Sequence, residues 1–302
     1  MTKTKRVKES MTMREFFAQF PSDEHCLNHL FDVRFGQGFK CPKCEREAKW
    51  YRLESERAYS CQWCGNHIHP TVGTPFEDTR TPLQLWFYAI YLFTTSRHGV
   101  SGKELQRQLG VTYKTAWRMG HQIRKHMDMV DGEAPLSGNI EIDETFVGGR
   151  RIGMGNKGGN EAHKAVVIGM LERDGDVIAN VIPDTKNKSI HPLIHKNIAK
   201  GSHINTDEFR AYVYLRKMGY SHETVLHSVR EYVKGDCHTN GIESFWRHLK
   251  CSLKGTHIQV SKKHLQKYVK EFEYRFNSRQ NPSAMFPELV SSFAKSYSSQ
   301  AE

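Results

Sequence analysis

Residues 139–149 read NIEIDETFVGG, and residues 165–184 read AVVIGMLERDGDVIANVIPD. The first stretch alternates apolar and polar residues, as a strand with one buried face does. The second contains two β-rich runs on either side of an Arg-Asp-Gly-Asp turn, and this arrangement predicts a hairpin. Together the two stretches predict three consecutive strands in a meander.

The residues after this meander alternate between helical and strand patterns. Helices are predicted over 189–200 and 208–218, and strands over 202–207 and 223–228. A three-stranded meander followed by alternating helices and strands is the order expected of an RNase H-like α/β domain, a mixed sheet with flanking helices. Other α/β folds share this order, so the order alone does not decide the assignment.

The chain is predicted to contain a small N-terminal domain, a helical middle region and this larger α/β domain. Their expected limits, together with those of a short tail, are 1–78, 79–131, 136–290 and 291–302. The helical region is predicted to begin with Thr81 as N-cap and Pro82 as its first helical residue. A segment rich in Gly, Pro and Ser separates it from the α/β domain.

The 302 residues include 44 Lys and Arg against 33 Asp and Glu, a formal net charge of +11. Such an excess attracts polyanions and releases counterions when phosphates bind, so nucleic acid is the first partner to consider. A basic, solvated surface without such a partner has the same composition. The longest apolar stretch, 83–93, is too short to cross a bilayer, and the N-terminus lacks the apolar core of a secretory signal. We therefore expect a cytoplasmic protein with no membrane partner.

Four of the seven cysteines form two CxxC pairs: Cys41 with Cys44, and Cys61 with Cys64. Two tight turns at this separation bring four thiolates together around one Zn²⁺, as in a zinc ribbon. A redox dithiol and four unrelated buried thiols are the alternatives. Because four cysteines fill a tetrahedral site, we expect the zinc to be structural and the two histidines that follow to lie outside the site.

A short helix predicted over 102–109, a turn at Gly110-Val111 and a second helix from Thr112 form a candidate helix-turn-helix. The second helix carries residues suited to DNA contact near its N-terminal end: Tyr113, Lys114, Thr115 and Arg118. Packing between the two helices is assigned to Leu105, Leu109, Val111 and Trp117. The alternative is a helical hairpin that only packs.

Phosphodiester chemistry with two metal ions requires carboxylates from distant segments to converge on one cleft. Asp143 lies in the first predicted strand, where its alternative location is a solvated sheet face. Glu141 shares the face of Asp143, and Glu144 adjoins it. Asp207 ends a predicted strand before a predicted helix, a place where aspartate is also a common N-cap.

Glu243 is the third candidate. It follows Asn240 at the spacing of a capping box, which is the alternative role for its side chain. One helical face carries Glu243, Trp246 and Lys250. This face would present a metal-binding acid and, two turns further on, a cation suited to a DNA phosphate. Residues 244–270 contain seven Lys or Arg and no Asp or Glu, as a surface that holds DNA should.

Together these segments resemble the zinc-ribbon insertion-sequence transposases of the DDE type, bacterial relatives of the eukaryotic Merlin elements with an ISXO2-like transposase domain. The matching stretches occur in the order of the family and extend over most of residues 14–290: CPKC (41–44), CQWC (61–64), GTPFEDTRTPLQLWFYAIYLF (73–93), EIDETFVGGR (141–150), INTDEFRAY (204–212) and HTNGIESFWRHLK (238–250). Each stretch is weak alone, whereas the ordered set is specific.

The resemblance implies that Asp143, Asp207 and Glu243 form an acidic triad that binds Mg²⁺ or Mn²⁺, with Lys250 as a phosphate contact. Some members of the family carry Asn or His at the third position, so Asn240 stays an alternative ligand. We favour Glu243, because a carboxylate is the harder oxygen ligand for Mg²⁺. The implied partner is double-stranded DNA, at element ends and at the target, bound at the bacterial nucleoid by a homodimer or a larger assembly.

The implied reaction is hydrolysis of the phosphodiester at the element end, followed by attack of the released 3′-hydroxyl on target DNA. Two rival classes remain. One is a DNA-binding regulator on an inactive scaffold, and the other is a stand-alone nuclease, such as a junction resolvase, that cuts without joining. The glycine-rich basic loop at 148–160 is predicted with equal weight to contact DNA backbone or to be a mobile hairpin loop.

Overall fold

The structure is a computed structural model that describes residues 10–132, 134–148, 164–225 and 237–295. The chain forms two compact units. The described residues of the first unit fall within Met1–Ser96, Gly102–Val130 and Gln280–Glu302, and those of the second within Arg97–Ser101 and Asp131–Arg279. The Cys-rich segment and the helical region therefore belong to one unit.

Helices and strands alternate in blocks along the described ranges. The helices are α1 (Met13–Gln19), α2 (Asp23–Arg34), α3 (Leu83–Thr95), α4 (Gly102–Leu109), α5 (Tyr113–Val130), α6 (Asn187–Asn197), α7 (Asn240–Ser252), α8 (Lys262–Asn277) and α9 (Met285–Lys295). The strands are β1 (Trp50–Arg52), β2 (Tyr59–Cys61), β3 (His67–Ile68), β4 (Asn139–Val147), β5 (Ala165–Glu172), β6 (Val177–Ile182), β7 (His203–Thr206) and β8 (Ser221–Thr224). Within these ranges, no helix combines the length and apolar character that a bilayer crossing requires.

The first unit combines α1–α5 and α9 with the antiparallel sheet β1-β2-β3. The limit expected at 290 falls inside α9, whose Phe293 is fully buried. The Phe293 ring stacks on Phe76, with ring centroids 5.3 Å apart, and on His126, with centroids 3.8 Å apart. The end of the described chain therefore belongs to the core of this unit.

The start of α3 differs by one residue from the prediction. Pro82 is the N-cap, with an extended ψ of 141°, and the helix begins at Leu83. Asp23 Oδ1 accepts a hydrogen bond from the backbone N–H of Gln84 at 2.9 Å. A distant carboxylate thus satisfies the helix start that Thr81 was expected to cap.

The stacked His126 is a buried base that must stay neutral. Its Nδ1 lies 3.3 Å from the hydroxyl oxygen of Ser292, and its Nε2 has no hydrogen-bond partner among the described residues. Burial and the nearby charge of Lys125 lower the pKa of His126 to about 4. Because the unfolded chain protonates this histidine near its usual pKa of 6.5, the resulting stability is present above pH 6.5 and is lost as the pH falls towards 4.

We expect His126→Gln to remove part of this pH dependence. Between pH 7 and pH 5 the parent chain should lose about 2 kcal/mol of unfolding free energy through His126, which follows from 1.36 kcal/mol per pKa unit. Urea unfolding at both pH values measures the difference. The exposed His25 provides the control, since His25→Gln should behave like the parent. Identical pH dependence in the parent and His126→Gln would contradict the prediction.

Helices α4 and α5 pack against each other across a turn at Gly110, whose φ of +65° suits glycine. Leu105 and Leu109 are buried as predicted. Trp117, also assigned to this packing, is 38% exposed, and its ring centroid lies 3.9 Å from that of His121 on the same helix.

The second unit contains a five-stranded mixed sheet in the order β6-β5-β4-β7-β8. The predicted meander is confirmed, because β4 pairs antiparallel with β5, and β5 with β6. Strands β7 and β8 then add parallel to β4. One sheet face packs on α6, and the opposite face packs on α7 and α8, each through a buried apolar cluster. This is the expected order of an RNase H-like domain.

The segment predicted as a helix over 208–218 is not an α-helix. It contains a 3-10 turn, Arg210–Tyr212, and backbone hydrogen bonds of the i to i+3 type, such as Leu215 N to Tyr212 O at 3.1 Å. Tertiary packing explains the difference: Tyr212 is buried and its hydroxyl donates to Glu144 on β4.

Two further predictions concern residues near the ends of the described ranges. Strand β8 lies slightly earlier than the strand predicted over 223–228, and residues 226–228 lie outside the described residues. Of the glycine-rich loop at 148–160, all but the first residue also lies outside them.

Candidate active site and metal centres

Asp143 and Asp207 occupy matching positions on neighbouring parallel strands. Strands β4 and β7 pair with Glu141 opposite Asn205. Two residues further along each chain are Asp143, still within β4, and Asp207, immediately after β7. Since paired strands lie about 4.8 Å apart, this register places the backbones of Asp143 and Asp207 next to each other.

The surroundings of the Asp143 carboxyl group disfavour its ionised form. Burial raises its pKa to about 6, and the negative charges of Asp207 and Glu243 add to the increase. A hydrogen bond from the indole Nε1 of Trp246 to Asp143 Oδ2, 3.1 Å long, opposes it. Three acids from three distant segments thus interact electrostatically, and a bound cation would relieve their repulsion.

Helix α7 carries Glu243 and Asn240 in its first turn. Its N-cap is Thr239, so Asn240 is the first helical residue and the alternative capping box between Asn240 and Glu243 is absent. Instead, the Thr239 hydroxyl donates to Glu243 Oε1 at 3.0 Å. Glu243 and Asn240 are exposed, and Lys250, two turns further along α7, is half-buried. The carboxylate of Glu243 is therefore accessible to a ligand.

The three carboxylates do not form a compact ligand cage. Among the described residues, the potential ligand atoms that all lie within 4.8 Å of one another are the four cysteine sulfur atoms. The carboxylates of Asp143, Asp207 and Glu243 do not converge this closely.

Gly169 on β5 allows α7 to approach the sheet beside Asp143. It pairs directly with Asp143. A Cβ atom at this position would lie 2.6 Å from Trp246 Cζ2 and 2.7 Å from Ile242 Cδ1. Sequence reasoning assigned no role to Gly169 or to the Trp246 indole, although a lone glycine inside a strand is a signal for close approach.

The other acids of β4 have different partners from Asp143. Glu144 accepts a hydrogen bond from the Tyr212 hydroxyl, and burial, together with the charges of Asp143 and Asp207, raises its pKa to about 7. Glu141 is 1% exposed and pairs with Arg173. Of the three acids, Asp143 is the one matched in register to Asp207.

The four predicted zinc ligands converge in the first unit. The Sγ atoms of Cys41 and Cys64 are 3.6 Å apart, and those of Cys44 and Cys61 are 3.9 Å apart. A tetrahedral Zn²⁺ with Zn–S bonds of about 2.3 Å requires sulfur–sulfur separations of about 3.8 Å. All four thiols are free of disulfides, so the residues fit a zinc ion.

The backbone around Cys41 favours its thiolate. Desolvation opposes ionisation of Cys41, but hydrogen bonds from the backbone N–H groups of Cys44 and Lys43 outweigh it and lower the pKa of Cys41 to about 6. A thiolate is the form that binds zinc. With four protein ligands the site is closed, as structural zinc sites are.

The second unit is thus an RNase H-like domain with Asp143 and Asp207 at matching positions of adjacent parallel strands, and the first unit carries a four-cysteine ribbon. Two family models match the chain: an ISXO2-like transposase domain over residues 135–277 and a transposase zinc-ribbon domain over residues 21–67.

Two relatives agree with these matches. The chain is 29% identical over 274 residues to a protein in transposable element ISH50 of Halobacterium salinarum, covering 85% of this chain and 91% of that protein. It is 32% identical over 102 residues to a transposase-like protein of Haemophilus influenzae, covering 32% of this chain and 78% of that protein. The chain belongs to the zinc-ribbon ISXO2-like DDE transposases.

Proposed function

We propose that this transposase binds the terminal inverted repeats of its element, cleaves the element ends and joins the released 3′-hydroxyl to target DNA. The register of β4 and β7 supports this proposal most strongly, because it sets Asp143 beside Asp207. Burial, together with the negative charges of Asp207 and Glu243, raises the pKa of Asp143 to about 6. Such a concentration of acids suits divalent cations.

Asp143, Asp207 and Glu243 are the proposed ligands of two Mg²⁺ or Mn²⁺ ions, and Asn240 is the alternative oxygen ligand. Ions held there would supply positive charge to activate the attacking water or 3′-hydroxyl and to stabilise the leaving oxygen of an in-line displacement. The three side chains hold the reacting groups in position, and none of them acts as a nucleophile. No covalent intermediate between protein and DNA forms.

The cations that follow Glu243 are the proposed DNA-holding surface. Lys250 lies two turns from Glu243 on α7 and is the proposed phosphate contact. Further exposed cations continue along a π-helical turn, Leu253–His257, and α8: Lys254, Lys262 and Lys263. These residues neutralise DNA backbone without reading its sequence.

The first unit is the proposed sequence-recognition part. Around the N-terminus of α5, Tyr113, Lys114 and Arg118 are exposed, as a recognition helix requires. The zinc ribbon belongs to the same unit and is proposed to bind the repeat together with α5. Pairing of two element ends requires at least a homodimer on DNA, and the substrate places the protein at the nucleoid.

The experiment uses the full chain and the inverted repeats found in the DNA that flanks its gene. Labelled duplexes that end in the repeat test cleavage, and pre-cut ends mixed with a supercoiled plasmid test joining. We expect Mg²⁺-dependent cleavage at the repeat end and a covalently joined product, both lost with a scrambled repeat. Cleavage without joining would identify a stand-alone nuclease, and binding without either step would identify a regulator.

A further inference from the structure

We propose that Glu141, assisted by Arg173, is a positioning residue that fixes the first turn of α7, and with it Glu243, relative to Asp143. This inference rests on the proposed function, because it concerns the geometry of the same metal site. Glu141 lies two residues before Asp143 on β4 and so points to the same face of the sheet. A carboxylate that is 1% exposed is costly to bury unless its oxygens are paired.

Both oxygens of Glu141 are directed at the segment that begins α7. Oε2 accepts a hydrogen bond from the backbone N–H of Ile242 at 3.0 Å. Oε1 accepts one from Arg173 Nε at 2.9 Å, and Arg173 Nη2 donates to the carbonyl oxygen of His238 at 3.0 Å. His238 Nδ1 lies 3.1 Å from the same Oε1. We call Glu141, Arg173 and these contacts the Glu141 clamp.

The Glu141 clamp replaces a local helix cap. The N-cap residue Thr239 makes no side-chain hydrogen bond to a backbone N–H of α7, and its hydroxyl binds Glu243 instead. The first N–H groups of a helix need acceptors, and the helix dipole favours a negative charge beside them. Because Glu141 supplies both from β4, the position of α7 is tied to the strand that carries Asp143.

Gly241 gives the carboxylate of Glu141 access to the helix. A Cβ atom at Gly241 would lie 2.9 Å from Glu141 Oε2 and 3.2 Å from Leu171 Cδ2. Either the carboxylate or the helical turn would have to move. Gly241→Ala therefore disturbs the Glu141 clamp while leaving its charges in place.

The remainder of α7 has its own anchors. Phe245, Trp246 and Leu249 are buried in the apolar cluster between α7, α8 and the sheet. Ile242 of the first turn is buried in the same cluster, so loss of the Glu141 clamp should loosen the backbone of this turn, which holds Asn240 and Glu243, while the helix stays attached. The expected consequence is weaker metal binding in a folded protein.

Glu141→Gln in the full chain tests the inference. The measurement is the Mg²⁺ concentration for half-maximal cleavage of a labelled element end, with melting temperature and DNA affinity measured in parallel. We expect this midpoint to rise about 10-fold or more, as for other partners behind metal ligands, with DNA affinity unchanged. Glu172→Gln is the matched control, because Glu172 on β5 also accepts a hydrogen bond from a backbone N–H, that of Ser137, at 3.0 Å. This variant should keep the parent midpoint.

Three further variants decide the matter if Glu141→Gln does not fold. Gly241→Ala should raise the midpoint, and Arg173→Lys, which keeps a cation near Glu141, should raise it less than Arg173→Ala. A lower melting temperature with the parent midpoint in every folded variant would reduce Glu141 to a structural role and overturn the inference. Absence of Mg²⁺-dependent cleavage by the parent would instead reject the proposed function.

Discussion

Replacing Asp207 with asparagine is expected to slow cleavage of the element end on the order of 1000-fold, equivalent to about 4 kcal/mol, while DNA affinity is retained. The amide keeps a carbonyl oxygen, so it can still accept the hydrogen bond from the Phe209 N–H that Asp207 Oδ1 accepts at 3.0 Å. The turn after β7 should therefore keep its shape. What is lost is the negative charge beside Asp143 that a divalent cation requires. Single-turnover cleavage and DNA binding, measured at one salt concentration, separate the two effects.

Asp174→Asn is the matched control for this substitution. Asp174 is exposed in the turn between β5 and β6, with a φ of +60° that asparagine adopts readily. This variant should cleave at the parent rate. Equal cleavage by Asp207→Asn and the parent would contradict a metal-binding role for Asp207. Loss of DNA binding by Asp207→Asn would show that this aspartate acts through the fold or the DNA surface.

Replacing Cys61 with serine is expected to release the zinc and to lower the melting temperature of the protein by about 10 °C or more. The ribbon strands are two or three residues long, so the sheet alone buries little apolar surface. In such small domains the metal contributes the folding free energy directly. Zinc content by atomic absorption and a thermal melt by circular dichroism provide the two readouts, with one zinc per chain expected in the parent.

Cys251→Ser controls for the loss of a thiol. Cys251 is exposed on α7, so its variant should keep the zinc content and melting temperature of the parent. A parent chain that binds no zinc and whose ribbon thiols all react rapidly with a thiol reagent would contradict a structural zinc site.

Much of the sheet could be predicted because its signals are local. The alternation in β4 and the turn at Asp174 are visible within a few residues, and the structure confirms the meander that they predict. The segment 208–218 was predicted wrongly because its spacing of apolar residues imitates a helix. Its true conformation depends on the contact between Tyr212 and Glu144, which lie 68 positions apart in the chain.

For the candidate site, too, some features could be predicted from local patterns and others could not. The zinc ligands follow from CxxC spacing, and the four sulfur atoms do converge. The roles of Asp143, Asp207 and Glu243 stay predictions, drawn from their places in the pattern and from family resemblance. Local patterns could not reveal that Trp246 donates to Asp143 across 103 positions or that Glu141 bonds Ile242 across 101, because neither pair shares a segment.

Crystals of the full chain soaked with Mn²⁺, with diffraction recorded at the manganese absorption edge, test the metal site most directly. We expect anomalous peaks within coordination distance of carboxylate oxygens of Asp143 and Asp207, with Glu243 or Asn240 completing the site. Manganese bound elsewhere, with these carboxylates turned to separate surfaces, would contradict a shared metal centre.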